Sequence, residues 1–357
     1  MTFPTVSTQH IRYGLTLLPF GMLLTFVAKL YMLETLFIIY IGKYKIMMHP
    51  IYLPFTEQQL LSNFAGVRKN GKCVKNVAHL KIYRDSIERY INYLADNPDR
   101  REKSLEEMRL PRQIEKDERF WIAACMMRIF YSQNRRQELT ELFRDGYGNF
   151  PPIRGLNSWK ECFEGDLHLF FEPNLPSPGL YKKWLRDNLA KRQFIPYVLD
   201  SAEDKVNLEG ATNVDALLLN SKNGFAVIIE VKVLSDISYE ITYDTMRNQI
   251  ARNIDVMLEK DKDRELCYPL DKRDPHKTLF LLITPKLFKD NPSSRLYGYK
   301  LGEYKINPKS LSADLPHRKN CDWQNISSRL GWLTWEDFRN VNKDCCCWLN
   351  NGIHNNV

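Results

Sequence analysis

Two apolar runs separated by a short turn stand out in the hydrophobic pattern of the chain. They cover residues 213–220 and 225–233, and the turn between them contains Asn223-Gly224. An Asn-Gly pair between two apolar runs is typical of a β-hairpin. The pattern therefore predicts two antiparallel strands in this region.

Charged residues interrupt these runs at three positions, Asp215 in the first and Glu230 and Lys232 in the second. Alternate residues of a strand share a face, so Glu230 and Lys232 lie on the same side. If residues 221–224 form the whole loop, Asp215 lies opposite Glu230. If only the Asn-Gly pair turns, Asp215 lies opposite Lys232. Both registers place the three side chains on one face.

Two carboxylates at this spacing need a compensating charge. At about 5 Å they repel by roughly 3 kcal/mol at an effective dielectric constant of 20. A divalent cation would remove that penalty, and oxygen ligands favour Mg²⁺ or Mn²⁺ over zinc. Lys232 beside them would orient an attacking water and stabilise charge on a phosphate. The alternative is a solvated Glu230–Lys232 pair on an edge strand, which the apolar residues of the same face disfavour.

With these residues the segment resembles the PD-(D/E)xK nuclease superfamily over about residues 196–285. Asp215 matches the first acid of the family motif, and Glu230 and Lys232 match its Glu-x-Lys element. Asn213-Val214 stand where the motif has a proline. The resemblance implies an α/β restriction-endonuclease-like fold, in which helices flank a mixed β-sheet. It also implies a DNA endonuclease with Mg²⁺ or Mn²⁺ held by Asp215 and Glu230.

Apolar residues recur at helical spacing between residues 242 and 260. Asn253 falls within this stripe and Gln249 lies on its edge. In the family that the chain resembles, this helix often adds a polar residue to the site, and on that ground Gln249 is assigned as a site residue. The alternative is that both amides cap nearby backbone groups. Arg247 and Arg252 point away from the stripe, towards phosphate or towards solvent.

A second predicted helix, at residues 177–189, is rich in basic side chains. Lys182, Lys183 and Arg186 are candidate contacts to nucleic acid, although an ordinary amphipathic helix explains the same residues more simply. Further acids could complete the site, and the sequence does not choose among them. These acids are Asp187, Asp200, Glu203 and, near the mouth of the site, Glu209.

The first 46 residues are strongly apolar between residues 13 and 41. Lys29 and Glu34 interrupt this segment, and the charge-free stretch is shorter than the roughly 20 residues that span a bilayer. The sequence leaves three interpretations of this segment open. The segment is a membrane anchor, it contacts a membrane without spanning it, or the true start of the protein is Met47 or Met48. The expected location is cytoplasmic, with membrane anchoring as the alternative.

The rest of the pattern predicts a helical region at 48–150, a nuclease-like domain at 151–345 and a frayed tail at 346–357. The domain boundary is expected near residue 150 or 172, where prolines cluster. Helices are predicted at 78–95, 119–130 and 135–143, and a strand buried on both faces at 278–284. A C-terminal helix and strand are predicted from residues 294–300 and 329–338.

Composition adds two limits to this picture. The 357 residues are 44% hydrophobic and 12% aromatic, which is typical of a globular protein. The net charge of +8 is compatible with a polyanionic partner, and DNA is expected ahead of RNA. The eight cysteines include no C-x-x-C pair, so free thiols in a reducing compartment are expected. The sequence does not decide whether the chain forms a homodimer.

Overall fold

The computed structural model describes residues 55, 57–67, 73–75, 117–238, 243–259, 268–346 and 349. The chain divides into two compact units, Met1–Met48 and His49–Val357, and every described residue belongs to the second. The apolar segment at 13–41, the alternative starts, the helix expected at 78–95 and most of the expected tail lie outside the described residues. No helix within the described ranges combines the length and apolarity needed to cross a membrane.

The described part of the chain contains both α-helices and β-strands. The α-helices are α1 (Glu57–Asn63), α2 (Glu118–Phe130), α3 (Arg135–Tyr147), α4 (Trp159–Phe163), α5 (Gly179–Arg192), α6 (Pro196–Glu203), α7 (Gln249–Met257), α8 (Lys286–Asp290), α9 (Leu296–Ile306), α10 (Leu311–Asp314), α11 (Trp323–Ser328) and α12 (Trp335–Val341). The strands are β1 (Ala65–Val67), β2 (Cys73–Lys75), β3 (Leu167–Phe171), β4 (Asn174–Leu175), β5 (Thr212–Asn213), β6 (Ala216–Asn220), β7 (Ala226–Val231), β8 (Thr278–Thr284) and β9 (Leu330–Thr334).

A five-stranded mixed sheet with the order β3-β6-β7-β8-β9 forms the centre of this unit. The pairs β3–β6 and β6–β7 are antiparallel, whereas β7–β8 and β8–β9 are parallel. All seven residues of β8 are buried, as its continuous apolar run predicts. The expected α/β architecture, a mixed sheet flanked by helices, is confirmed at this level.

The two faces of the sheet belong to two separate apolar clusters. Val227, Ile229 and Leu281 pack on one side with residues of α2, α3, α4 and α12. Ile228 and Leu282 pack on the other side with residues of α7, α9, α10 and α11. Alternate residues of each strand thus enter opposite cores, which is the parity that the sequence predicts for the hairpin.

Helices predicted from the sequence have the expected positions, with differences at their ends. Helix α2 begins one residue earlier than predicted, and α3 continues four residues further. Helix α7 is much shorter than the predicted 242–260, because Asn248 ends the preceding turn and caps the helix by accepting from the Ala251 N–H at 2.9 Å. Met246, expected in the apolar stripe, precedes the helix and is exposed.

The described C-terminal residues pack on α2. Cys345 and Cys346 are buried, and the Sγ atoms of Cys346 and Cys125 lie 2.9 Å apart. Packed structure therefore includes residue 346, where the frayed tail was expected to begin.

Candidate active site

The hairpin adopts the first of the two predicted registers. Ala216 pairs with Ile229, and the Asn220 N–H donates to the Phe225 carbonyl at 2.8 Å. The loop therefore comprises residues 221–224. Continuing this register by one residue places Asp215 opposite Glu230.

Asp215, Glu230 and Lys232 lie together at one end of the hairpin. Glu230 is in β7 and is 0% exposed, and Lys232, just beyond the strand, is 5% exposed. Asp215 occupies the bend before β6 and is half-buried. The Val231 N–H donates to Asp215 Oδ2 at 2.7 Å, which fixes the carboxylate against the end of β7.

The carboxylate of Glu230 is held on both sides. Lys232 Nζ donates to Oε1 at 2.6 Å, and Asn253 Nδ2 donates to Oε2 at 2.7 Å. These bonds orient Glu230 and satisfy a charge that burial would otherwise penalise. Donation by the amide nitrogen of Asn253 leaves its Oδ1 buried, with no hydrogen-bond partner among the described residues.

The charges of the site shift two pKa values upwards. Burial raises the pKa of Asp215 well above its ordinary value, and the nearby Glu230 raises it further. Burial works against the charge of Lys232, but Glu230, Asp215 and Glu118 outweigh it and raise the pKa of the ammonium group. Lys232 therefore stays protonated at neutral pH and can donate hydrogen bonds.

Glu118 is a site residue that the sequence analysis did not find. It is the first residue of α2, and its Oε2 lies 3.9 Å from Lys232 Nζ. Its Oε1 accepts from the Val233 N–H at 3.0 Å and from the Ser235 hydroxyl. An acid in the first turn of a helix is ordinarily explained by the helix dipole. Nothing in the sequence therefore indicated that Glu118 lies close to Lys232, which is about 100 residues further along the chain.

Glu172 and Arg119 lie on the Asp215 side of the site. Glu172 has a φ of 49°, in the left-handed region, and its N–H donates to the Asp215 carbonyl at 3.0 Å. Arg119 binds Asp117 through two hydrogen bonds and lies 3.9 Å from Glu172 Oε1. Non-glycine residues with a strained backbone cluster at functional sites, and Glu172 adjoins the half-buried Asp215.

Gln249 does not make the contact assigned to it. It is the first residue of α7, is half-buried, and has no hydrogen bond to Asp215, Glu230 or Lys232 in the described structure. Asn253, one turn later, contacts Glu230 instead. The helix starts later than its apolar pattern predicts, and its buried face is centred on the residues around Asn253.

Two of the five residues expected to contact nucleic acid form ion pairs inside the protein. Arg247 is 0% exposed and binds Glu209 at 3.2 Å and Asp255 at 2.8 Å. Arg252 is half-buried, and its Nε donates to Glu209 Oε1 at 2.9 Å. Sequence spacing placed both arginines off the apolar stripe, but it could not reveal the acids that pair with them.

The remaining basic candidates lie on α5. Lys183 and Arg186 are exposed and Lys182 is half-buried, so this helix can still meet a polyanion. The upstream acids do not join the site. Glu209 is buried in the ion pairs with Arg247 and Arg252, whereas Asp187, Asp200 and Glu203 are exposed.

The donor set is suited to a hard cation. Among the described residues no group of three or more His, Cys, Asp or Glu side chains is arranged to hold a metal ion. Mg²⁺, however, is commonly bound by only one or two carboxylates together with water and substrate oxygens. Asp215 and Glu230 offer two carboxylates in mutual repulsion, and the unpartnered Oδ1 of Asn253 adds a neutral oxygen beside them. These groups fit the expected cation.

Comparison of the chain with protein-family models, with curated proteins and with solved structures found no significant match.

Proposed function

We propose that this protein is a divalent-metal-dependent nuclease that hydrolyses DNA phosphodiester bonds on a restriction-endonuclease-like fold. The observation that carries the proposal is the Glu230 carboxylate, clamped by Lys232 and Asn253 and placed opposite Asp215. A sheet normally avoids opposed carboxylates unless a cation compensates them. The mixed sheet with its flanking helices is compatible with that fold.

Each residue of the site has a defined task in this reaction. Asp215 and Glu230 would hold Mg²⁺ or Mn²⁺, which when bound supplies charge compensation and polarises the scissile phosphate. Lys232 stays protonated, so its ammonium group stabilises negative charge on the phosphate and orients the attacking water by donation. Asn253 keeps Glu230 in one orientation, and Glu118 keeps Lys232 near both carboxylates.

Cleavage of supercoiled plasmid by the purified full chain tests this proposal. We expect nicking or degradation with Mg²⁺ or Mn²⁺, and none with a chelator. Asp215→Asn and Lys232→Met should each lower the rate by at least about 100-fold, because each removes a charge that acts in the transition state.

Lys160→Met is the matched control, since Lys160 is an exposed lysine of α4. It should cleave like the parent chain, which excludes a contaminating nuclease as the source of activity when the site variants do not cleave. Undiminished cleavage by both Asp215→Asn and Lys232→Met would reject the assignment.

A second candidate is a catalytically silent DNA-binding or scaffold protein with the same site residues. The observation that favours it is the closed Lys232–Glu230 ion pair, in which both side chains are almost inaccessible. This candidate predicts that the chain shifts DNA in a gel without cleaving it in the presence of Mg²⁺, Mn²⁺ or other divalent ions.

A further inference from the structure

Three cysteines meet between α2 and the residues that follow α12. Cys125 lies in the middle of α2, and Cys125, Cys345 and Cys346 are all buried. The Sγ atoms of Cys125 and Cys346 lie 2.9 Å apart, and the Cys345 thiol donates to the Cys125 carbonyl at 3.6 Å. Cys125 and Cys346 are 221 positions apart in the sequence, so tertiary packing brings their sulfur atoms together.

The distance between these two sulfur atoms is shorter than ordinary packing gives. Non-bonded carbon atoms pack best at roughly 3.5–4.0 Å, and sulfur is the larger atom. The sulfur atoms of a disulfide bond lie about 2.05 Å apart, and the two side chains must face each other before the bond can form. Cys125 and Cys346 already face each other, and a movement of about 1 Å would join their sulfur atoms.

The backbone around each cysteine differs. Cys125 is inside a helix, and burial raises the pKa of its thiol well above the ordinary value, which makes it a poor nucleophile. Cys346 lies outside any helix or strand, and its φ of 49° is in the left-handed region, which is strained for a residue other than glycine. Local opening at Cys346 therefore costs less than disruption of α2, and it exposes one of the two sulfurs to an oxidant.

The two elements that meet at this pair also hold the candidate active site. Glu118, at the start of α2, accepts from the Val233 N–H at 3.0 Å. Trp335, at the start of α12, donates from Nε1 to the Lys232 carbonyl at 3.1 Å. The rings of Trp121 and Trp335 lie 5.3 Å apart, which packs the two helices together. A covalent link here would fasten both helices around the segment that carries Lys232.

We propose that Cys125 and Cys346 form a disulfide bond when the protein meets a small-molecule disulfide such as oxidised glutathione. The Cys346 thiolate attacks one sulfur of the oxidant, forms a mixed disulfide and releases one glutathione thiolate. Cys125 then gives up its proton and attacks the Cys346 sulfur, and the second glutathione leaves. The two cysteines lose two electrons and two protons, and two glutathione thiols gain them.

This inference does not depend on the proposed nuclease function. Composition predicts free thiols, but it cannot show that folding brings two of the eight sulfurs into contact. In a reducing compartment the same pair stays as two thiols, so the bond reports the redox conditions around the protein.

Peptide mapping of the purified full chain tests the bond. The folded protein is incubated with oxidised glutathione, its remaining thiols are alkylated, and it is digested with trypsin without reductant. Trypsin cleaves after Lys and Arg, so Cys125 falls in the peptide 120–128 and Cys346 in the peptide 344–357. We expect a mass that joins these two peptides and disappears on treatment with dithiothreitol.

Alanine variants identify the two sulfurs. Cys125→Ala and Cys346→Ala should each abolish the joined mass. Cys345→Ala should keep it, which distinguishes the two neighbouring cysteines of the C-terminal peptide. Cys162→Ala is the matched control and should also keep it, because Cys162 is a buried cysteine of a different helix, α4.

The bond should also stabilise the folded chain, because a cross-link between distant positions restricts the unfolded state. We expect the oxidised parent chain to melt roughly 4–10 °C above the reduced chain. Cys125→Ala should melt at the same temperature under both conditions, since it cannot form the bond.

Four results would overturn the inference. Absence of the joined mass from the oxidised parent chain would show that the two sulfurs do not react. A joined mass that persists in Cys346→Ala would assign the bond to another cysteine. A joined mass that forms only after unfolding in urea would show that the fold does not bring the sulfurs together. Equal melting temperatures of the oxidised and reduced parent chain would show that the bond does not fit the folded geometry.

Discussion

At the scale of single residues, one lysine lies near more carboxylates than its single positive charge can neutralise. Lys232 lies 2.6 Å from Glu230 and 3.9 Å from Glu118, and its charge also acts on Asp215. The ionised form of Asp215 is therefore disfavoured, and burial and the nearby Glu230 raise the pKa of Asp215. A side chain with a raised pKa takes up a proton on folding, and it must release that proton before it can bind a cation.

This predicts how the stability of the metal-free protein depends on pH. The pKa of Asp215 is higher in the folded chain than in the unfolded chain. The stability that the neutral side chain contributes is therefore fully present below about pH 4, the pKa of Asp in the unfolded chain. It is lost as the pH rises through the pKa of Asp215 in the folded chain. Asp215→Asn, which cannot ionise, should match the parent chain in acid and exceed its melting temperature at pH 8–9. Thermal melts with a chelator from about pH 3 to 9 measure the difference.

Added Mg²⁺ should reverse that order at pH 8. The parent chain should gain stability from the cation, and Asp215→Asn should gain little, since one carboxylate of the proposed pair is missing. A variant that is less stable than the metal-free parent at high pH would contradict the proposed charge imbalance.

At the scale of elements, local patterns predicted most of what lies close together in the chain. Strand parity placed Glu230 and Lys232 on one face, and the Asn-Gly turn predicted the hairpin. The start of α7 was not predicted, because the side-chain cap at Asn248 overrides an apolar pattern that continues upstream. Glu118 was not predicted either, since only packing of α2 on the sheet brings it to Lys232.

Contact between α3 and β9 gives a prediction at this scale. A Cβ on Gly331 would lie 2.3 Å from the ring of Tyr147, whose hydroxyl donates to the Phe280 carbonyl at 2.7 Å. Neither the ring nor the strand can move without loss, so Gly331→Ala should lower the free energy of unfolding by about 1–3 kcal/mol. Urea unfolding followed by circular dichroism measures this value.

Gly302→Ala provides the comparison for this substitution. Gly302 lies inside α9, and a Cβ there would meet nothing within 4 Å. Alanine should therefore stabilise the protein by roughly 0.5–1 kcal/mol through its higher helix propensity. Equal stability of Gly331→Ala and the parent chain would mean that α3 does not pack on β9 in this way.

At the scale of the whole unit, buried ion pairs connect segments that are distant in sequence. Arg247 binds Glu209 and Asp255, and its guanidinium lies 3.4 Å from the centroid of the Tyr181 ring in α5. Asp255 in α7 is also bound by His317 at 2.9 Å and by Arg318. Burial would raise the pKa of Asp255, but Arg247, His317 and Arg318 outweigh it and hold the pKa well below its ordinary range.

Arg247→Met should therefore weaken the whole unit. The substitution leaves two buried carboxylates without their shared cation, and losing one partner of a buried pair typically lowers the free energy of unfolding by about 3–5 kcal/mol. The pKa of Asp255 is lower in the folded chain than in the unfolded chain. The stability that its ion pairs contribute is therefore present above about pH 4, the pKa of Asp in the unfolded chain. It is lost as the pH falls through the pKa of Asp255 in the folded chain. The stability difference between Arg247→Met and the parent chain should consequently shrink in acid.

Lys183→Met is the comparison for Arg247→Met, because Lys183 lies on the exposed surface of α5. The two variants distinguish a cation that stabilises the fold from a cation that binds DNA. It should change stability by less than about 0.5 kcal/mol. If Lys183 contacts phosphate, its removal should also reduce the slope of log affinity against log salt by about 1. A stable Arg247→Met protein with weakened, less salt-dependent DNA binding would instead return Arg247 to the DNA-binding surface, and with it the original expectation from the sequence.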